Sequence, residues 1–451
     1  MASGTSIPWL KNDLGKLESQ TSTASKKAKR NLQEYFVGPR DITRHSKWPR
    51  ALRMHGSVTP KIIFRTLCIT IWAAGITAIS QELHTINVHP IVTTVLGILV
   101  GFSLNLRSST AYERYMEGRK VWSKLTGHAA AFSRTIWIHS IEREGEQGKQ
   151  DLLAKISFLN LIIAFAVALK HKVRFEPYIQ YEDLQDLVGH LDTFARDAGH
   201  PTVQPEAPDA WKHVRNILRV AEPNPRMELK RAKRPLGNLP LEVLGYMDSY
   251  IQTITANDLL RPPGVIPGVM SELECFNDIL VTADRILNTP LPIAYTIAIS
   301  QITWIYVITL PFQLVHLMGW MTIPATMIAA YITLGFAAIG NEIENPFGHE
   351  VNDLPLELYC AQIASDVSII ASRPAARLDE YAFHADNKPL YPISSTGAEF
   401  WPDTSVQDIR NALKMRAMTS KPAMWRRQSM MPVNVRNDSN VSGSTLNTES
   451  V

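Results

Sequence analysis

An all-α membrane protein is what this sequence predicts, and three observations carry the prediction. No charged residue occurs between Arg285 and Glu342, a stretch long enough for two bilayer crossings. A second uncharged run, from Ile91 to Leu106, extends about 24 Å as a helix and nearly crosses a hydrocarbon core of about 30 Å. Apolar residues cluster in this way even though the mean hydropathy is −0.06, so the average hides two kinds of sequence.

Composition removes several function classes. A net charge of +4 over 451 residues is too small to argue for nucleic acid, and the basic residues are not interleaved with aromatic platforms. Cys68, Cys275 and Cys360 stand far apart without CxxC spacing, so neither a disulfide framework nor a zinc site is suggested. The N-terminus lacks an apolar run followed by a small-residue cleavage site, which argues against a secretory signal. No G-x-S-x-G, HExxH, P-loop or GxGxxG pattern is present, and an enzyme is not predicted.

Residues 1–55 form a basic N-terminal segment, with Lys26, Lys27, Lys29 and Arg30 followed by Arg40, Arg44, Lys47, Arg50 and Arg53. A positive excess beside the first apolar stretch marks the cytoplasmic side. The first span, about 61–82, spreads Ile62, Phe64, Leu67, Ile69 and Trp72 round the helix, as lipid burial requires. A short turn at Asn87, His89 and Pro90 then sends the second span, about 90–106, back antiparallel. Beyond Arg107 this helix becomes polar without a break. Glu113, Arg114, Glu117, Arg119 and Lys120 place opposite charges three or four positions apart, and an apolar period continues through Trp122, Leu125, Phe132 and Ile136.

The run Leu152–Leu169 contains only Lys155 as a charge, and its highly charged ends favour burial in a large helical domain over a membrane crossing. Residues 171–235 read as a surface insertion rich in proline, closed by the basic knot Lys230, Arg231, Lys233 and Arg234. Helical patterns follow at Leu239–Leu260 and Ser271–Leu287, divided by RPPGVIPG. The charge-free stretch supplies spans at about 290–310 and 321–340, divided near Gly319 and Trp320, with Pro311 and Pro324 as kinks or breaks. A last helix covers Leu356 to about Ser372. Residues 376–451 read as a largely disordered tail, because their composition buries too little apolar surface.

Within the second span Ile98, Phe102 and Leu106 recur at i, i+4 and i+8 along one face. Such a row faces lipid or a neighbouring helix in most membrane proteins. Repeated around an axis by several subunits, it makes a dry constriction that gates ions by dewetting.

Two motifs choose between those readings: an apolar helix running into RSSTAYERYMEGRKVW, and another ending at NEIENPFGHEVNDLP. Together they resemble the bestrophin family of ion channels, in its bacterial, plant and fungal branch, over roughly residues 45 to 375. The resemblance implies a homopentamer around a central pore, four membrane helices per subunit, a large cytosolic helical portion and both termini in the cytosol. The channel domain would then be residues 56–375. It also implies that three apolar residues line the pore neck, the last lying eight positions before the Arg of Tyr-x-Arg. Eight back from Arg114 is Leu106, so the implied neck is Ile98, Phe102 and Leu106, the row already found by periodicity. Asn345, Pro346, Phe347 and Gly348 are implied to form a turn after the last span, close to the neck. Val265 and Ile266 are implied to form a second, cytosolic constriction.

The sequence departs from the family pattern in two places. Arg114 is followed by Tyr115 and Met116 where two tryptophans are expected. In animal bestrophins an acidic run after the turn binds calcium. Here only Glu350 and Asp353 remain as weak calcium candidates among His349, Val351 and Asn352, so neither calcium nor another cofactor is called for. The expected function is passive conduction of chloride or another small anion by an integral, multi-pass membrane protein. Alternatives are a cation-conducting channel of the same fold and a non-conducting membrane scaffold. The expected partners are anions, the lipid bilayer and further copies of this chain, with no nucleic acid.

Overall fold

The computed structural model describes residues 54, 56–83, 89–197 and 235–419. The basic N-terminal run, Asn87 and the basic knot at 230–234 lie outside the described residues. The chain divides into two compact units, Met1–Arg373 and Pro374–Val451. Described residues are helical or irregular, and the single bridge pair is Ser140 with Leu260.

Eight long helices build the described part of the first unit, with two single-turn helices at Gln185–Val188 and Phe194–Asp197. Four lie near its apolar end: α1 (Thr59–Glu82), the start of α2 (Pro90–His139), and, later in the chain, the pair named α6 and α7 below. Prolines start several of these helices, where a missing N–H costs nothing: Pro60 in α1 and Pro90 in α2. His89 caps α2 by accepting the Ile91 N–H on Nδ1 at 3.3 Å. Helix α2 is the organising element, since its 50 residues run about 75 Å without interruption.

Helix α3 (Glu146–Val173) packs on the second half of α2, α4 (Leu239–Ala256) packs on α3, and α5 (Ile266–Asn288) packs on α2, α3 and α4. Their core is aromatic. Phe132 meets Phe158 at 5.2 Å and Phe276 at 5.7 Å between ring centroids, mostly edge to face, and Phe158 stacks on Tyr250 at 4.7 Å. Trp122, Leu125, Phe132 and Ile136 of α2 are completely buried there, each worth roughly 1.5–3 kcal/mol over exposure. Helix α3 belongs to this core, as its charged ends suggest. The single lysine inside its apolar run, Lys155, is buried, donates to the Ser140 carbonyl at 2.6 Å and to Glu142 at 2.8 Å, and lies over the Trp137 ring. Protein groups, not lipid, satisfy that charge.

Helices α6 (Ile293–Met318) and α7 (Thr322–Glu344) follow, joined by a one-turn helix at Gly319–Met321. Gly319, at φ +53°, ends α6 with a backbone conformation that favours glycine. Pro311 sits inside α6, and Pro324 falls in the first turn of α7, where it is tolerated. The expected spans fall in α1, the start of α2, α6 and α7. Helix α7 packs along α1, and both α6 and α7 pack on α2, through small groups, with Ala73, Thr77, Thr326 and Ala330 buried between helices. Helix α8 (Leu356–Ala371) closes the unit against α2 and α3.

In the second unit the described residues carry a single helical turn at Leu378–Tyr381, a 3-10 turn at Ala398–Asp403 and α9 (Val406–Thr419). Composition alone reads the whole of 376–451 as largely disordered. The helical residues fall in its first part, where Leu378, Tyr381, Phe400, Trp401 and Leu413 give more apolar material than the stretch beyond 420, which lies outside the described residues.

Candidate functional site

The site is built on the two faces of α2. Val100, Leu104 and Arg107 are 4%, 6% and 3% exposed, turned towards α6 and α7. On the other face Ile98, Phe102 and Leu106 are 68%, 63% and 39% exposed. The predicted row is therefore an apolar stripe that the described residues leave open at Ile98 and Phe102 and partly cover at Leu106. Gly97 lets α2 approach α6 closely, since a Cβ there would stand 3.4 Å from the Tyr306 ring.

Immediately beside the stripe, buried Arg107 fastens α2 to the end of α7. Its guanidinium donates to the Asn341 side chain and lies 3.6 Å from Glu344. Gly340 leaves it room, as a Cβ there would meet the Arg107 side chain at 3.4 Å. Two turns on, Arg114 donates to three main-chain carbonyls: Glu344 at 3.1 Å, Ile286 at 2.8 Å and Thr289. A cation there satisfies the carbonyls that the ends of α5 and α7 leave open. The two arginines hold the exposed stripe in a fixed orientation.

The Asn345–Gly348 turn sits further along α2. Phe347 is fully buried, and at Gly118 a Cβ would come within 3.1 Å of both Phe347 and Pro346 and 3.2 Å of Leu354. Gly118 lies twelve residues past Leu106, about 18 Å along the helix axis. The turn thus lies about three helical turns from Leu106. Asn345 accepts the Phe347 N–H on Oδ1 at 3.5 Å, and Leu354 donates to the Pro346 carbonyl at 2.9 Å.

Polar links that the sequence did not announce anchor this turn. Arg174 of α3 donates to the Phe347 carbonyl at 3.2 Å and pairs with Glu357, and His349 contacts Glu176 at 2.8 Å. Despite burial, the Arg174 guanidinium holds the Glu357 carboxyl down to about 2. Behind them His171, buried between Glu176 at 2.6 Å and Asp183 at 2.9 Å, is held above the usual histidine value by those carboxylates, against the opposing effect of burial.

The two weak calcium candidates are already engaged. Glu350 pairs with Lys61, while Asp353 accepts the Glu350 N–H at 2.7 Å and closes the turn. Burial, with Glu350 and Glu342 nearby, pushes the Asp353 carboxyl up to about 6. A carboxylate that closes the turn on a backbone N–H and another bound to lysine do not converge as a calcium site needs. Among the described residues no three His, Cys, Asp or Glu side chains converge on a metal-sized site.

Val265 and Ile266 fall at the far end of α2. Leu259 and Arg261 join the residues around His139 by backbone hydrogen bonds of 2.8 and 3.0 Å. This places the pair about 50 Å from Leu106 along the helix. Both side chains are half-buried against the aromatic core, whereas Ile98, Phe102 and Leu106 are exposed.

A family model described as Bacterial/Fungal Bestrophin protein matches residues 41–368. The chain is similar to a voltage-dependent anion channel-forming protein of Nostoc sp., 32% identical over 323 residues, which are 71% of this chain and 91% of that protein. A similarly named protein of Synechocystis sp. is 30% identical over 323 residues, covering 72% and 91%. Among solved structures, a mutant bacterial bestrophin homologue from Klebsiella pneumoniae matches with a TM-score of 0.52 at 22% identity, over 71% of this chain and 100% of that one. At that identity the match shows the fold.

Proposed function

The chain belongs to the bacterial and fungal bestrophin family, a family of channels and not enzymes, and from that premise we propose that it is a passive anion channel carrying chloride. Five copies would surround an axis lined by the exposed stripe of α2, with α1, α6 and α7 outside it in lipid. The observation that carries the reading is the exposure of Ile98, Phe102 and Leu106 on a helix whose opposite face is locked by Arg107 and Arg114. Rings of these side chains form a narrow dry neck. An ion must shed part of its hydration to pass, and a large, weakly hydrated anion loses less than a small cation.

Four crossings put both ends of the chain on one side, and the aromatic core is the cytosolic portion of that side. The names of the cyanobacterial relatives support anion conduction. The test is the reversal potential of purified protein in planar bilayers under a KCl gradient. Reversal near the chloride potential is expected. Reversal near the potassium potential would overturn the ion assignment, and absence of current from a folded assembly would overturn the channel.

A further inference from the structure

The exposed stripe of α2 does not stop at Leu106. At 100° per residue, Glu113 lies about three turns from Phe102 on nearly the same line, and Lys120 about five turns from it. Both side chains are exposed, and among the described residues neither has an ion-pair partner. The flanking positions behave differently. Arg114 is spent on main-chain carbonyls, Gly118 is packed against the post-span turn, and Glu117 leaves the line to face Arg285 at 3.4 Å. Met116, also on the line, is half-buried. Glu113 is therefore the first charged side chain below the neck on the neck's own face, and Lys120 is the next.

We propose that Glu113 and Lys120 form an acidic ring and a basic ring below the neck, and that their opposition sets the ratio in which anions and cations pass. This rests on the reading of α2 as the pore-lining helix. The rings are seven residues apart, about 10.5 Å, which exceeds a Debye length of about 8 Å at physiological ionic strength. Each therefore acts largely as its own field. An anion arriving from the cytosolic side is concentrated at Lys120 and then opposed at Glu113, directly before the dry neck. A cation meets the reverse order. Glu113 is the brake on anion selectivity, and Lys120 offsets it.

Reversal potentials in bilayers under a KCl gradient test this with wild type, Glu113→Gln, Lys120→Gln and the double variant, each checked for oligomer size. Glu113→Gln is expected to raise the chloride-to-potassium permeability ratio about fivefold, Lys120→Gln to lower it comparably, and the double variant to return close to wild type. Glu113→Asp is expected to keep the wild-type ratio. At 1 M salt, where the Debye length is about 3 Å, the differences are expected to shrink, which a purely structural role would not produce. Unchanged ratios in variants that still conduct would overturn this inference and leave the channel standing. Loss of assembly in Glu113→Gln with the ratio unmoved in Glu113→Asp and Lys120→Gln would overturn it too, by placing the stripe in a subunit contact. Absence of current in wild type would overturn the channel reading and this inference with it.

Discussion

The first third of α2 and its remainder are one unbroken helix, yet they meet different surroundings. Beyond Gly118 the helix buries Trp122, Leu125, Phe132 and Ile136 completely in an aromatic core made by its own chain. Before Leu106 its buried residues are few, and its bulkiest apolar side chains, Ile98 and Phe102, stand open. The difference separates two jobs. The lower part supplies stability to the single chain, and the upper part keeps an open surface that the proposed channel would use towards lipid and other copies. Between them, Arg107 and Arg114 join the two regimes.

If that division is right, substitutions should affect stability and conduction unequally along α2. The largest stability effect is expected in the core, where Phe132→Ala removes a ring packed on Phe158 and Phe276. It should cost about 3–5 kcal/mol, read as a lowered unfolding temperature in detergent. A small effect there would break the comparison at once. At the junction, Arg107→Leu leaves Asn341 and Glu344 without their donor and should cost about 2–3 kcal/mol. Gly118→Ala forces a methyl towards Phe347, Pro346 and Leu354 and should cost about 1–2 kcal/mol, with faster proteolysis around the post-span turn as its local signature.

A pH effect of smaller size sharpens the picture. Asp353 has its carboxyl raised to about 6 in the folded protein, so the stability it contributes is fully present below the unfolded value near 4 and is lost as pH rises through 6. His171, also raised, adds a change of the same sign. The opposite contribution of Glu357 is lost only as pH falls from its ordinary range towards about 2. Acidification from pH 7.5 to 5 should therefore raise the unfolding temperature, and Asp353→Asn should reduce that rise while leaving the His171 part.

Much of this organisation was legible in the sequence because periodicity and charge report burial directly. The uncharged run to Leu106 and the charge-free stretch before Glu342 located apolar helices, and the row Ile98, Phe102, Leu106 appeared as one face because a helix enforces its own spacing. The burial of α3 was legible in its charged ends. What was not legible depends on distant pairings. The Arg107 contact with Asn341 and the His349 contact with Glu176 join residues far apart in the chain, and no local pattern announces them. The seat of the post-span turn against Gly118 is of the same kind. Glu113 and Lys120 were a different matter: extending the period past Arg107 would have found them, but the run of opposite charges three or four positions apart around them reads first as a solvated, ion-paired face.

The smallest expected effect on stability is at the neck, and there conduction should change most. Replacing Ile98, Phe102 and Leu106 together by Ala removes side chains that the described residues leave largely open at Ile98 and Phe102 and partly open at Leu106, so stability in detergent should stay close to wild type, within about 0.5 kcal/mol per position. The decisive measurement is current through this triple variant beside wild type, in bilayers and at equal protein load. A changed conductance or open fraction with preserved oligomer size and stability is the predicted result. Identical currents from the two proteins would contradict the neck and move the pore elsewhere on the molecule.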